Sequence, residues 1–144
     1  METDRYVIKQ ISIFSENRPG RLAAIAKALT EEHINILAFS IAEADGFGVV
    51  RALVDKPKLA YEKLTGLGFN VAFTDVIAVK MRESPGGLYE IAKMLANVQI
   101  NIEYSYAYTG KEGGVLILRV DDADQAVRLI TSLGATLLES RVFQ

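Results

Sequence analysis

"ENRPGRLAAIAKALTEEHINI" runs from Glu16 to Ile36, and "RESPGGLYEIAKMLANVQINI", from Arg82 to Ile102, repeats its spacing. Pro19-Gly20 maps onto Pro85-Gly86, and Leu22 onto Leu88, at an offset of 66 residues. The same offset carries Ile25, Ala26, Lys27 and Leu29 to Ile91, Ala92, Lys93 and Leu95. It carries Ile34-Asn35-Ile36 to Ile100-Asn101-Ile102. Further out, Gly48-Val49 meets Gly114-Val115, Val54-Asp55 meets Val120-Asp121, and Leu67-Gly68 meets Leu133-Gly134. From residue 17 to 70, with no gap, about 18 of roughly 54 positions are identical, more than chance produces at a fixed period. The chain is therefore read as a tandem of two units, residues 1–72 and 73–144.

Each unit carries the same order of signals. "YVIKQISIF" and "DVIAVKM" are β-rich runs and read as strands. Pro19 and Pro85 fit the first turn of a following helix, where a missing N–H costs nothing. Leu22, Ile25, Ala26 and Leu29 form one apolar stripe at helical spacing, and Leu88, Ile91, Ala92 and Leu95 repeat it. Two further β-rich runs follow, "INILAFSIAE" and "FGVVRALVD" around the turn "ADG". Their partners are "INIEYSYAY" and "GVLILRVD", joined by "TGKEGG". Asp55 and Asp121 are placed to cap a second helix. Its stripe is Leu59, Ala60, Lys63, Leu64 and Leu67 in one unit and Ala126, Val127, Ile130 and Leu133 in the other. Gly68 and Gly134 stop it. Final strands are expected at "FNVAFT" and "ATLLESRVF". Without a spacer, residues 70–81 must end one unit and begin the next. The order βαββαβ, with right-handed crossovers, specifies the ferredoxin-like α+β sandwich, twice.

Composition bounds the partners. The 144 residues are 50% hydrophobic and 24% charged, an ordinary globular balance. The formal charge of −2, with no basic stripe, argues against a nucleic-acid partner. The absence of cysteine removes disulfides, thiolate nucleophiles and zinc–thiolate sites. "METDRYVIKQ" lacks the apolar run of a signal peptide, and no stretch approaches the ~20 apolar residues of a membrane helix. The expectation is a cytoplasmic protein with no membrane partner and no cofactor.

The run from Glu16 to Ile36 resembles the signature of ACT domains, the small-molecule regulatory modules of many amino-acid biosynthetic enzymes. It is similar to the ACT domain of phosphoglycerate dehydrogenase and to the acetohydroxyacid synthase small subunit. In those, an Asn precedes a Pro-Gly helix start, and a later Asn-Ile opens the second strand. The resemblance covers both units. It implies binding of a free amino acid or similar small metabolite where ACT units meet, in a homodimer, with a regulated partner enzyme acting in trans as the alternative. Asn17 matches the loop Asn that holds ligand in the dehydrogenase family, and Asn35 matches the Asn that opens the second strand. Ser15 stands where that family has a His. The implied ligand-binding residues are Ser15, Asn17, Arg18, Pro19, Gly20, Arg21 and Asn35. A possible second site comprises Glu83, Gly86, Gly87 and Asn101, with Glu83 in the place of Asn17 and Ser84 in that of Arg18.

The chemistry agrees with this assignment. A free amino acid carries a carboxylate and an ammonium. A helix N-terminus presents unpaired N–H groups and a favourable dipole to the carboxylate. Gly20 lets a ligand approach the backbone. An Asn amide both donates and accepts, and so serves either end of the zwitterion. The plainer alternative is that Asn17 starts a turn and Pro19 starts a helix.

Other constellations carry less. Tyr104, Tyr106 and Tyr108 fall on one face of a strand, either packing in a core or walling a pocket. "GFGVV", from Gly46 to Val50, resembles an RNA-recognition signature. Asp45 precedes it and Val50 and Leu53 are aliphatic, so no stacking platform forms. Asp121, Asp122 and Asp124 read as helix-start charges in preference to a metal cluster. His33 suits a helix C-terminus. Acylphosphatase shares the fold, and Arg18 and Arg82 lie near the relevant turns, but the loops lack a phosphate cradle. No catalytic residue and no metal ligand is assigned.

Overall fold

The structure, a computed structural model, describes residues 2–111 and 113–143. The chain divides into two compact units. The first comprises Lys9–Thr74 together with Phe143. The second comprises the residues up to Ile8 and Asp75–Val142.

The first unit contains β1 (Ile8–Glu16), α1 (Arg21–Glu31), β2 (Ile36–Ala44), β3 (Phe47–Val54), α2 (Pro57–Gly66) and the start of β4 (Asn70–Lys80). Its strand order is β2-β3-β1-β4. The pairs of β3 with β1 and β2 are antiparallel, with Ala52 opposite both Ile11 and Phe39 and Phe47 opposite both Glu16 and Ala44. Alternation sends Ile11, Ile13, Val50, Ala52 and Val54 to one face. There they pack with Ile25, Ala28 and Leu29 of α1 and Ala60 and Leu64 of α2. Lys63 ties the helices together through Glu31 (3.6 Å) and Glu32 (3.5 Å).

The second unit repeats the plan. It uses the end of β4, then α3 (Gly87–Ala96), β5 (Ile102–Gly110), β6 (Gly113–Val120) and α4 (Ala123–Ser132), in the strand order β4-β6-β5. Its core joins Ile77, Val79, Leu116, Leu118 and Val120 to Ile91 and Leu95 of α3 and Ala126, Val127 and Ile130 of α4. A 3-10 helix, Glu2–Tyr6, adds Tyr6 to this core, and Thr3 Oγ1 donates to Asp124 Oδ1 (2.8 Å). The residues expected to end one unit and begin the next form the single continuous strand β4.

Several local readings are corrected. Pro19 and Pro85 precede their helices and do not sit in the first turn. Gly20 and Gly86 are the N-caps, with φ of 92° and 101° and ψ near zero. Arg21 N–H donates to Arg18 O (3.2 Å) and Gly87 N–H to Ser84 O (3.3 Å). Each Pro-Gly pair is thus the centre of a type II turn, in which Gly supplies the positive φ. The stripes are narrower than the spacing implies. Leu22 and Leu88 at the helix starts are exposed, as are Leu59, Leu67 and Leu133, while Ile25, Leu29, Ile91 and Leu95 are buried.

Asp55 and Asp121 do not cap helices. Asp55 Oδ1 accepts from Asn35 N–H (2.9 Å), and Asp55 N–H returns a bond to Asn35 O (3.2 Å). Asp121 and Asn101 make the same exchange at 3.2 and 3.3 Å. These residues therefore lock β2 and β5 to the ends of β3 and β6. Asp122 is the cap of α4 and accepts from Gln125 N–H (3.1 Å). Of the strand expected at 135–143, the chain forms one bridge, Leu137 to Val79, flanked by Lys80 N–H to Thr136 O and Leu138 N–H to Ala78 O. The polar run Glu139-Ser140-Arg141 ends it, and a 3-10 helix, Ser140–Phe143, buries Phe143.

Candidate functional site

In the first unit β1, the β2–β3 hairpin, the start of α1 and the end of α2 all meet at one end of the sheet. The hairpin turns on Asp45 (φ 52°) and Gly46 (φ 85°), the type I′ pair that matches strand twist. Gly46 N–H is held by Glu43 Oε1 (2.8 Å), and Gly46 O accepts from Asn17 N–H (2.8 Å). Gly68, at φ 91°, turns the chain from α2 into Phe69 and Asn70.

These loops surround a cleft of about 570 Å³, within the range of small-molecule sites. Phe14, Phe47 and Phe69 are its aromatic walls, and Glu16, Glu43, Ser15, Asn70 and Arg21 are its polar ones. The Arg21 guanidinium lies 5.7 Å from the centre of the Phe69 ring. Its Nε is buried without a hydrogen-bond partner among the described residues. A buried donor left unpaired is costly, so this atom favours an acceptor brought from outside. No side chain caps α1. With Arg21 N–H bonded to Arg18 O and Ala24 N–H to Gly20 O, the Leu22 and Ala23 N–H groups are the further donors of that first turn.

The structure brings together most of the residues singled out in the sequence. Ser15 and Arg21 line the cleft. Asn17 lines a small adjoining depression with Ser15, Glu16 and Arg21. Beside it, a Cβ on Gly48 would meet Asn17 Cβ at 3.3 Å. Arg18 pairs with Glu16 (3.5 Å), and Pro19-Gly20 shape the turn from Arg18 to Arg21. Asn35 is not part of this cluster. It precedes β2 at Ile36, which pairs near Val54, while Asn17 follows Glu16, which pairs with Phe47. Strand rise puts the two Asn roughly 20 Å apart, at opposite ends of the sheet. Sequence reasoning missed Phe14, Phe47, Phe69, Glu43 and Asn70. The signal for them is positional: Phe47 follows an Asp-Gly turn, and Phe69 follows a helix-stopping Gly.

The equivalent place in the second unit is shallower, about 340 Å³, lined by Lys80, Met81, Arg82, Glu83, Gly113 and Gly114. The aromatic walls are gone: the repeat puts Lys80 at Phe14, Gly113 at Phe47 and Ala135 at Phe69. Arg21 becomes Gly87. Arg82 instead lies across the start of α3, bonded to Ser84 Oγ (2.6 Å) and paired with Glu90. A Cβ on Gly87 would meet Arg82 O at 2.2 Å, and one on Gly86 would meet Arg82 Nη2 at 2.9 Å. Gly86 and Gly87 are therefore packed against this arginine. Glu83 Oε1 is 3.5 Å from Thr109 Oγ1, and Asn101 lies at the far end of its unit, as Asn35 does. Tyr104, Tyr106 and Tyr108 share one half-buried face of β5, alternating with exposed Glu103, Ser105 and Ala107.

The model of an ACT domain pair matches residues 6–140. The chain belongs to that family. A protein from Bacteroides thetaiotaomicron, of known structure, is 32% identical, with 96% of each chain covered and a TM-score of 0.90. The ligand-free regulatory subunit of aspartate kinase from Thermus thermophilus is 18% identical, with 90% of this chain and 95% of that one covered and a TM-score of 0.64. E. coli aspartokinase III in complex with lysine and aspartate is 16% identical over 89% of this chain and 32% of its own, with a TM-score of 0.55. The last two likenesses show the shared fold. No curated protein sequence matches the ACT pair. Among its described residues, no helix is long and apolar enough to cross a membrane.

Proposed function

We propose that this ACT pair is a non-catalytic regulatory protein that binds a free amino acid or closely related metabolite in the cleft of the first unit. The observation that carries this is the Arg21 guanidinium, lining that cleft with a buried and unpaired Nε, next to a helix start that no side chain caps. A ligand carboxylate satisfies both. Asn17 and Ser15 add polar contacts at the rim. The second unit offers no equivalent, because Arg82 and Glu90 occupy the start of α3 and Glu83 opposes an anion. One ligand per chain follows.

Regulation would operate by linkage: a ligand that binds one arrangement of the protein more tightly shifts the population towards it. A homodimer suits this role. Asn35 lies too far from Asn17 to share its ligand within one unit, so a second copy would have to supply it. The partner that senses the change would be an amino-acid biosynthetic enzyme, a reading supported by the likeness to the regulatory subunit of aspartate kinase. An amino acid present at a hundred times its Kd should stabilise the fold by about 2.7 kcal/mol. A thermal-shift screen of the twenty amino acids checks this. A flat response to all of them, and to related metabolites, would remove the reading.

A further inference from the structure

We infer that the first-unit cleft takes an aromatic α-amino acid, with its ring against Phe14, Phe47 and Phe69 and its carboxylate on Arg21. The inference rests on the reading of this cleft as the ligand site and goes on to its selectivity.

Three phenylalanines line one cleft, and two of them are costly where they stand. Phe47 is 67% exposed at a hairpin end, and Phe14 is 43% exposed on β1. A ring placed between them removes apolar surface on both sides from water. Aromatic pairs add a further gain when offset or edge-to-face. A small or polar side chain would leave these faces wet. The charges narrow the choice further. Arg21 has no acid partner among the described residues, and its ring neighbour is Phe69. Glu16 and Glu43 line the same cleft and oppose an acidic side chain, while they suit an ammonium. The cleft thus offers one cation for a carboxylate, two carboxylates for an ammonium and three rings for an aryl group. The second unit, with Lys80, Gly113 and Ala135 at the phenylalanine positions, lacks the third feature.

Calorimetry on the full chain tests this with L-phenylalanine, L-tryptophan, L-serine, L-aspartate, L-lysine and 3-phenylpropionate. The aromatic amino acids should bind at least tenfold more tightly than the other three amino acids and tenfold more tightly than 3-phenylpropionate, which lacks the ammonium. Phe47→Ala, at an exposed position, should weaken the aromatic ligand about tenfold and leave the unliganded melting temperature unchanged. Phe14→Ala should weaken it in the same sense. If serine, aspartate or lysine binds tightest and Phe47→Ala binds like the wild type, the aromatic assignment is overturned while the cleft remains a ligand site. If the thermal-shift screen is flat for all twenty amino acids and related metabolites, the functional reading falls and this inference with it.

Discussion

Ile25, Leu29, Ala60 and Leu64 in the first unit answer to Ile91, Leu95, Ala126 and Ile130 in the second, and every one of them is buried. Around the clefts the correspondence fails. Phe14, Arg21, Phe47 and Phe69 answer to Lys80, Gly87, Gly113 and Ala135. The repeat has thus kept its interior while the side chains around its clefts diverged. Cores are constrained by volume, since a methylene too many or too few is felt throughout a close-packed interior. Phe14 and Phe47 are exposed, and exchange of exposed side chains leaves the packing intact. The difference assigns folding to the shared positions and, on the proposed function, ligand choice to the unshared ones.

The largest effects should fall on the shared positions and be alike in both units. Leu64 and Ile130 occupy matched sites on α2 and α4 and are both fully buried. Truncating either to Ala should cost about 2–5 kcal/mol, through lost transfer energy and the cavity left behind. Chemical denaturation of each variant checks it. Costs differing by more than about 3 kcal/mol, the width of that range, would mean that the two cores are not equivalent.

The next effect should appear in one unit alone. Gly87 stands where the first unit has Arg21, and a Cβ there would sit 2.2 Å from Arg82 O, a backbone atom that cannot swing away. Gly87→Ala should therefore destabilise by about 1–3 kcal/mol, the usual cost of overpacking. Gly66, the last residue of α2, with open space around it, is the control. Gly66→Ala should stabilise by roughly 0.5–1 kcal/mol through helix propensity and chain entropy. If Gly87→Ala proves neutral, the second loop is not closed by Arg82 in the way described.

The repeat, the βαββαβ order and the family resemblance were legible because they are carried by periodic apolar residues and by Pro-Gly pairs, whose backbone demands are local. The Pro-Gly pairs were nonetheless misread by a position or more. A type II turn and a helix first turn both favour Pro, and Gly at φ near +90° is what decides between them. Asp55 looks like a cap in the sequence because it stands two residues before a helix. Its partner, Asn35, is 20 residues away in sequence, and proximity along the chain cannot reveal it. The cleft was half legible. Asn17 and Arg21 belong to the recognisable loop, but Phe14, Phe47 and Phe69 come from three separate segments, and strand register is what gathers them.

A third effect bears on the clefts directly. Asn17→Ala should weaken ligand at least tenfold, or about 1.4 kcal/mol, by removing one polar contact at the rim. Glu83→Gln, at the matching place in the second unit, should leave both affinity and stoichiometry unchanged. Titration of each variant with the ligand that gives the largest thermal shift decides the matter. Two equal sites per chain, or wild-type affinity in Asn17→Ala, would end the assignment of binding to the first unit.

The smallest effect should be equal in both units, because it concerns backbone alone. His33 and Gln99 are matched residues just past α1 and α3, and both hold the left-handed conformation, with φ of 54° and 62°. In each case the next N–H reaches back into the helix, from Ile34 to Leu29 O (2.9 Å) and from Ile100 to Leu95 O (3.0 Å). This is a helix stop that Gly makes most readily. A residue with a Cβ there is strained by roughly 1–2 kcal/mol. Gly removes that strain, but its unfolded chain has more freedom to lose, which takes back part of the gain. The net expectation for His33→Gly or Gln99→Gly is about 0.5 kcal/mol of added stability, and nearly twice that for the pair, since the sites belong to different compact units. Denaturation midpoints resolve a change of this size. Lys56 Nζ bonds to His33 O (2.9 Å), a contact with the backbone that the substitution preserves. If His33→Gly stabilises and Gln99→Gly does not, the two helix ends are not the same device, and the equivalence of the two scaffolds stops at their buried residues.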